Sequence, residues 1–241
     1  MQVKPYNTDQ SKKTEVEDMF DNIAPKYDLL NHVLSMKIDV LWRNTLVKWM
    51  NKDAPKLVLD VATGTGDLAI AVQKGTGADV VGLDLSQQML NVGIDKIKKI
   101  NLVQKISMQK GDAENLPFED NKFDAVSVAF GVRNFENLEK GLAELRRVVK
   151  ENSSVYILEF SKVEGFLAPF YMFYFKNILP QIGKLVSKDN RAYTYLPDSV
   201  NAFPFGEKMK QILLDTGYSK VEYKKLSLGI ATIYKATNNH P

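Results

Sequence analysis

Apolar residues at Val16, Met19, Phe20 and Ile23, with Asp and Glu between them, follow the spacing of one helix face. A second stretch, through Leu41, Trp42, Leu46 and Trp49, repeats it. At Pro55 the pattern changes. Leu57-Val58-Leu59-Asp60-Val61 is a short apolar run that predicts a buried strand, and the glycine-bearing turn Ala62-Thr63-Gly64-Thr65-Gly66-Asp67 ends it. A helix is predicted over 68–73. Strands then follow at 79–84, 106–110, 123–129 and 155–160, with helices at 87–100 and 138–150. Short buried strands alternating with helices predict a mostly parallel sheet covered on both faces. After Ser161 come an aromatic segment, a polar loop and a helix over 205–215, which Gly217 stops. Strands at 219–225 and 228–236 close the chain as an antiparallel hairpin. The expectation is one α/β domain over 1–241, with a helical N-terminal cap over 1–55 and an insertion over 162–204.

The turn at 62–67 carries the strongest local signal. Glycine lets backbone approach a ligand, and the helix start behind it offers free N–H groups. A dinucleotide fingerprint needs a third glycine, but Ala69 stands there, and Asp60 and Asp67 bracket the turn. That pattern suits a ligand with a cationic end better than a pyrophosphate. Asp84, at the end of the second strand, can accept from both hydroxyls of a ribose, at the edge where open α/β sheets bind ligands. Asp112 and Ala113, after the third strand, can meet an adenine edge. S-adenosylmethionine has a ribose, an adenine and a positive sulfur but no phosphate, and these residues match it. A purely structural turn and an NAD-type fold are the alternatives. Phe130-Gly131-Val132-Arg133-Asn134 follows the fourth strand. Arg133 there either brings a permanent cation to the mouth of the crevice, to steady a developing oxyanion or orient a water, or holds a helix start.

Composition narrows the field. The 241 residues contain no cysteine and only two histidines, His32 and His240, which excludes disulfides, thiol nucleophiles and thiolate metal sites and nearly excludes a multi-histidine one. Against 32 Lys and Arg stand 29 Asp and Glu, a net charge of +3, too balanced for a dedicated nucleic-acid binder. The polar start and the absence of a long apolar run predict a soluble, cytoplasmic protein. Residues 166–175 hold six aromatics in ten. A core helix is the plain reading. Apolar residues on every side, Phe170 and Phe173 among them, also fit an apolar channel or a contact with a membrane surface.

Taken together, several motifs resemble the ubiquinone/menaquinone biosynthesis C-methyltransferases. They are Lys26-Tyr27-Asp28-Leu29-Leu30-Asn31-His32-Val33-Leu34-Ser35 with Leu41-Trp42-Arg43, the glycine turn from Leu59 to Asp67, and Ala113-Glu114-Asn115-Leu116-Pro117-Phe118. Phe130 to Asn134, Leu158-Glu159-Phe160-Ser161, and Tyr193-Thr194-Tyr195-Leu196-Pro197-Asp198-Ser199-Val200 with Phe203-Pro204 continue the match over nearly the whole chain. The resemblance implies a Rossmann-like class I methyltransferase fold. It also implies S-adenosylmethionine-dependent C-methylation of a prenylated quinol, demethylmenaquinol to menaquinol, without a metal. It puts cofactor contacts at Thr63, Asp84, Asp112 and Ala113, beside Gly64 and Gly66. Lys37 and Asp39 replace the family's usual Gly and His, Glu151-Asn152-Ser153 its Pro-Gly-Gly, and Ala129 a Ser of some members.

On the substrate side, Arg133 and Tyr195 are assigned to catalysis, and Tyr27, Phe130 and Ser199 to the quinol with Phe170 and Phe173. Core or turn roles stay open for Tyr27, Tyr195 and Ser199, and Asp28 can cap a helix or pair with Arg43. A ubiquinone precursor, a small polar acceptor and a non-catalytic S-adenosylmethionine-binding module are the rival readings. Peripheral contact with the inner face of the membrane and a homodimer fit the main one without being required by it.

Overall fold

The computed structural model describes residues 3–29, 35, 37–163 and 191–239. The expectations for Phe170, Phe173 and His32, and most of the 162–204 insertion, lie outside the described residues.

Strands β1 (Leu57–Val61), β2 (Asp79–Asp84), β3 (Ile106–Lys110) and β4 (Phe123–Ala129) have the bounds that the apolar runs predict. They are parallel, as is the pairing of β4 with β5 (Val149–Phe160). β6 (Lys220–Leu226) and β7 (Ala231–Asn238) complete a seven-stranded sheet in the order β3-β2-β1-β4-β5-β7-β6, with β7 antiparallel to both neighbours. Helices α1 (Lys12–Ile23), α2 (Ile38–Met50), α3 (Asp67–Thr76), α4 (Gln87–Lys99) and α5 (Leu138–Val148) follow the chain. Ser11, Ser86 and Asn137 start α1, α4 and α5 by accepting from the backbone N–H three residues on, which satisfies an otherwise orphaned donor.

Three elements differ from the sequence expectation. β5 begins at Val149, not 155, since Val149 pairs with Phe123 and Ser153 and Ser154 pair with β7; exposed Lys150, Glu151 and Asn152 break the apolar pattern and hide this start in the sequence. Residues expected in a loop form helix α6 (Arg191–Ala202), with Pro197 inside it. Pro, Asp and Ser in succession read as a turn, yet Tyr195 and Val200 are buried against α1, and that packing sets the conformation. α7 (Glu207–Asp215) follows. Between β6 and β7, Ser227, Leu228 and Gly229 take φ of 44°, 58° and 93°, so the chain turns where apolar Leu228 suggests strand.

α5 and α7 cover one face of the sheet, with Leu142, Leu145, Met209 and Leu213 packed on Leu59, Val126 and Ile157. On the other face Leu46, Met50, Leu68, Val72 and Ile97 pack on Val58, Val80 and Tyr156. A third cluster joins Val16, Met19 and Ile23 of α1 to Met89, Tyr195 and Val200. It stands off the sheet, at the carboxyl ends of the strands, and roofs the loops after β1 and β4.

Candidate active site

β1 has β2 on one side and β4 on the other, so the chain reverses its order of travel between β1 and β4, and a crevice opens at the carboxyl ends of these strands. The two loops meet closely: a Cβ on Gly131 would collide with that of Ala62. Two non-glycine residues beside this point, Ala62 and Phe130, have φ of 52° and 59°. Such backbone costs about 1–3 kcal/mol at each site and is retained where surrounding structure enforces it. At Phe130 the enforcing contact is its N–H, which donates to Leu158 O at 2.7 Å.

Asp60 is buried beneath the turn. It accepts from Thr63 Oγ1 at 2.6 Å and from Ser127 Oγ at 2.7 Å. Desolvation pushes its carboxyl up to about 6, against the pull of those two hydroxyls. The Thr63 hydroxyl is thereby committed to the interior, and its N–H donates to Leu83 O at 3.0 Å. Asp67 is bound by Lys96 at 2.5 Å and Arg43 at 3.2 Å. Neither Asp60 nor Asp67 lines the crevice, contrary to the expectation that they face a cationic ligand. Both brace the turn instead.

The crevice is a cavity of ≈ 720 Å³ including its open mouth. Ala62, Gly64, Asp84, Asp112 and Ala113 form one side, Phe130, Gly131 and Asn134 another, and Val16, Phe20 and Tyr27 the roof. Asp84 accepts from Gly64 N–H at 2.7 Å and Ser86 N–H at 2.9 Å. Desolvation lifts it to about 6 as well, with the backbone donors opposing. Asp112 accepts from Glu114 N–H at 2.9 Å and Lys13 Nζ at 2.6 Å.

Of the residues assigned from sequence, Gly64, Asp84, Asp112, Ala113, Tyr27 and Phe130 share this one cavity. Thr63, Gly66, Arg133, Tyr195 and Ser199 are not among its lining residues. Gly66, at φ 79°, starts α3, and a Cβ there would run into the Met108 methyl. Ser199 is buried, and its hydroxyl donates to Leu196 O at 3.0 Å within α6. Arg133, expected at the mouth, is instead buried below it and paired with Glu159 Oε1 at 2.9 Å. Its guanidinium also donates to Phe130 O and lies 5.5 Å from the Phe160 ring centre, while its Nε is buried with no partner among the described residues. The Tyr195 hydroxyl donates to Asn134 Oδ1 at 3.0 Å and so reaches the cavity at one remove. Asp28 pairs with Lys96, not with Arg43, whose partners are Asp39 and Asp67.

Sequence reasoning missed the roof's role. Lys12 fastens α1 to the loop after β4: its N–H donates to Glu136 Oε1 at 2.9 Å, and its Nζ to Arg133 O and Phe135 O at 2.9 and 2.8 Å. Burial lowers that ammonium to about 8. Lys13 holds Asp112, and Lys110 holds Glu17 at 2.6 Å. The helical spacing of Val16 and Phe20 was the available signal, but it does not say what the face covers.

The ubiE/COQ5 methyltransferase family model matches residues 8–238. A demethylmenaquinone methyltransferase of Bacteroides fragilis is 47% identical, the match covering 98% of this chain and 97% of that protein. One from Porphyromonas gingivalis is 42% identical over 96% of each. Among solved structures, a SAM-dependent methyltransferase of Thermotoga maritima shares the fold with a TM-score of 0.64 at 16% identity, covering 92% of this chain and 99% of that one. With its glycine turn, its acidic strand ends and the loop after β4 in one cavity, and with matches of this length, the chain belongs to the ubiE/COQ5 methyltransferase family.

Proposed function

We propose that this chain carries out the S-adenosylmethionine-dependent C-methylation of demethylmenaquinol to menaquinol in menaquinone biosynthesis. The observation that carries the reading is the charge of the cavity. Its lining has five carboxylates, Glu17, Asp84, Asp112, Glu114 and Glu136, against one ammonium, Lys13. Walls of that sign repel a pyrophosphate and attract a sulfonium and an α-ammonium. The acceptor set therefore fits S-adenosylmethionine and disfavours a phosphorylated dinucleotide. Relatives named demethylmenaquinone methyltransferase, similar over nearly their whole length, support the choice of acceptor.

Asp84 would hold the ribose hydroxyls, Asp112 and Ala113 the adenine, and Gly64 leaves room for the ligand to approach the backbone. Thr63 and Gly66 serve from behind, by shaping the turn. S-adenosylmethionine supplies a methyl group on a positively charged sulfur. The accepting ring carbon would become nucleophilic as a phenolic proton passes to water; the sulfur–methyl bond would break with neutral S-adenosylhomocysteine as leaving group, and the carbon's own proton would then pass to water. This chain's task is to align that carbon and to tolerate negative charge on the quinol oxygen. Arg133, neutralised by Glu159, holds the loop that carries Phe130 through the Phe130 carbonyl and so positions the cavity wall. Burial pushes the Tyr195 hydroxyl up to about 12, so it stays protonated at neutral pH and donates. It orients the Asn134 amide at the cavity wall, which makes Tyr195 a positioning residue for the reaction. Tyr27 and Phe130 flank the quinol ring, while Ser199 contributes through the helix that carries Tyr195. Phe170 and Phe173 are assigned to the prenyl tail. Among the described residues no helix is long and apolar enough to cross a membrane. The reading adds a peripheral contact with the inner face of the membrane, where a prenylated quinol resides, by an otherwise cytoplasmic protein.

The test is turnover of demethylmenaquinol in detergent micelles with methyl-labelled S-adenosylmethionine, followed by mass spectrometry. A labelled menaquinone is expected. Calorimetry should show binding of S-adenosylmethionine and none of NADH. Tight binding of NADH, or a label that never reaches the quinone ring, would refute the reading.

A further inference from the structure

Tyr27 closes the roof beside the glycine turn. Its ring is 4.0 Å from where a Cβ on Gly64 would stand, and it meets Phe20 edge-on with ring centres 6.0 Å apart. The neighbouring residue, Asp28, is where this segment is tied down. One carboxylate oxygen accepts from Thr65 Oγ1 at 2.5 Å, the other from Lys96 Nζ at 2.8 Å. Lys96 also reaches Thr65 Oγ1 at 3.2 Å and Asp67 Oδ1 at 2.5 Å. From Asp67 the chain of contacts runs on to Arg43 at 3.2 Å, then to Asp39, which accepts from Ser35 Oγ at 2.5 Å. Three carboxylates thus alternate with two cations.

Position distinguishes this relay from ordinary surface pairing. Its side chains are between 5% and 30% exposed, so water screens it only in part. Its members come from five separate places: the Tyr27 segment, the glycine turn at Thr65, the first turn of α3, the last turn of α4 and the start of α2. An isolated exposed pair contributes little. A relay that ties the Tyr27 segment to the turn lining the cavity fixes geometry, whatever it adds to stability. At position 39, where the chain departs from the family's usual residue, the Asp39 carboxylate pairs with Arg43.

We propose that Asp28 is a positioning residue. Through Thr65 and Lys96 it holds Tyr27 over the glycine turn, and so sets how the ring of the acceptor is seated. The proposal rests on the C-methylation reading above.

The experiment is a double-mutant cycle in kcat and KM for demethylmenaquinol, with cofactor affinity and thermal midpoint read on the same samples. Asp28→Asn keeps the shape and removes the charge, and it should lower kcat/KM about tenfold, as expected for a misplaced contact residue. Lys96→Met should do the same by a second route, which guards against a folding defect in either variant. In a Tyr27→Ala background each change should cost no more than about twofold, because the group being positioned is gone. Equal factors in both backgrounds, accompanied only by a lower thermal midpoint, would mean a purely structural relay and overturn the proposal. Wild-type kcat/KM in Asp28→Asn would overturn it as well. Failure of the wild-type chain to methylate the quinol would sink the functional reading and this role together, an outcome separable from the other two.

Discussion

Glu159→Ala removes a buried anion from beside a buried cation. Glu159 is 0% exposed, and the Arg133 side chain is 8% exposed. The carboxylate also accepts from the N–H of Phe160 at 2.8 Å and of Arg133 at 3.3 Å. Truncating one partner of such a pair leaves the other charge uncompensated and costs about 3–5 kcal/mol. Unfolding entropy of about 2.1 cal/mol/K per residue gives about 0.5 kcal/mol/K for this chain. The thermal midpoint should therefore fall by about 6–10 °C. Calorimetry alongside urea unfolding reads both quantities. Glu159→Gln, which keeps an acceptor, should lose about 2 kcal/mol. The double variant with Arg133→Met should be more stable than Glu159→Ala alone, since no orphaned charge remains. A loss under about 1 kcal/mol in Glu159→Ala would show that water or rearrangement reaches Arg133 and refute the description of a buried pair. A double variant no more stable than the single one would do the same.

Gly131→Ala should destabilise by about 1–3 kcal/mol through its collision with Ala62, and Ala62→Gly in the same chain should restore most of the loss in urea unfolding. Asp84 is lifted to about 6, so it carries a proton below that pH and loses acceptor capacity. Affinity for S-adenosylmethionine should then weaken as pH falls from 7 to 5, by about tenfold per unit at the limit. A flat calorimetric profile over that range would exclude Asp84 as an anionic anchor. Glu15 is buried and accepts from the N–H groups of Tyr6, Asn7 and Thr8 at 2.6, 3.0 and 2.7 Å. Glu15→Ala should cost about 2 kcal/mol and raise hydrogen exchange at residues 6–8. Unchanged exchange there would show that the carboxylate does not hold the segment.

The parallel half of the sheet was legible because β1, β2 and β4 are short, largely apolar runs and glycine or aspartate ends or closely follows all four strands, although β3 is mostly polar. α6 was not legible: Pro197 argues against a helix locally, and its burial against α1 is a contact between residues far apart in sequence. The site divides the same way. Gly64, Asp84 and Asp112 sit at strand ends, where topology alone puts them in one crevice. The sequence displays Asp60 and Asp67 as acids flanking a turn but hides their partners, Thr63 and Ser127 in one case and Lys96 and Arg43 in the other. Arg133 likewise reads as an exposed cation until Glu159, 26 residues later, is seen facing it.

The roof of the cavity is synthesised before the strands it covers and is seated late. Lys12 waits for Glu136, 124 residues downstream, before its N–H can be satisfied there. At about 5–20 residues per second, that gap corresponds to about 6–25 s of synthesis. Until it ends Val16 and Phe20 lack part of the surface they later cover, while β1 and β2, complete by residue 84, can pair before then. Codon changes that slow elongation between these points should lengthen the exposure of the nascent N-terminal segment to chaperones and proteases and leave the finished sheet untouched.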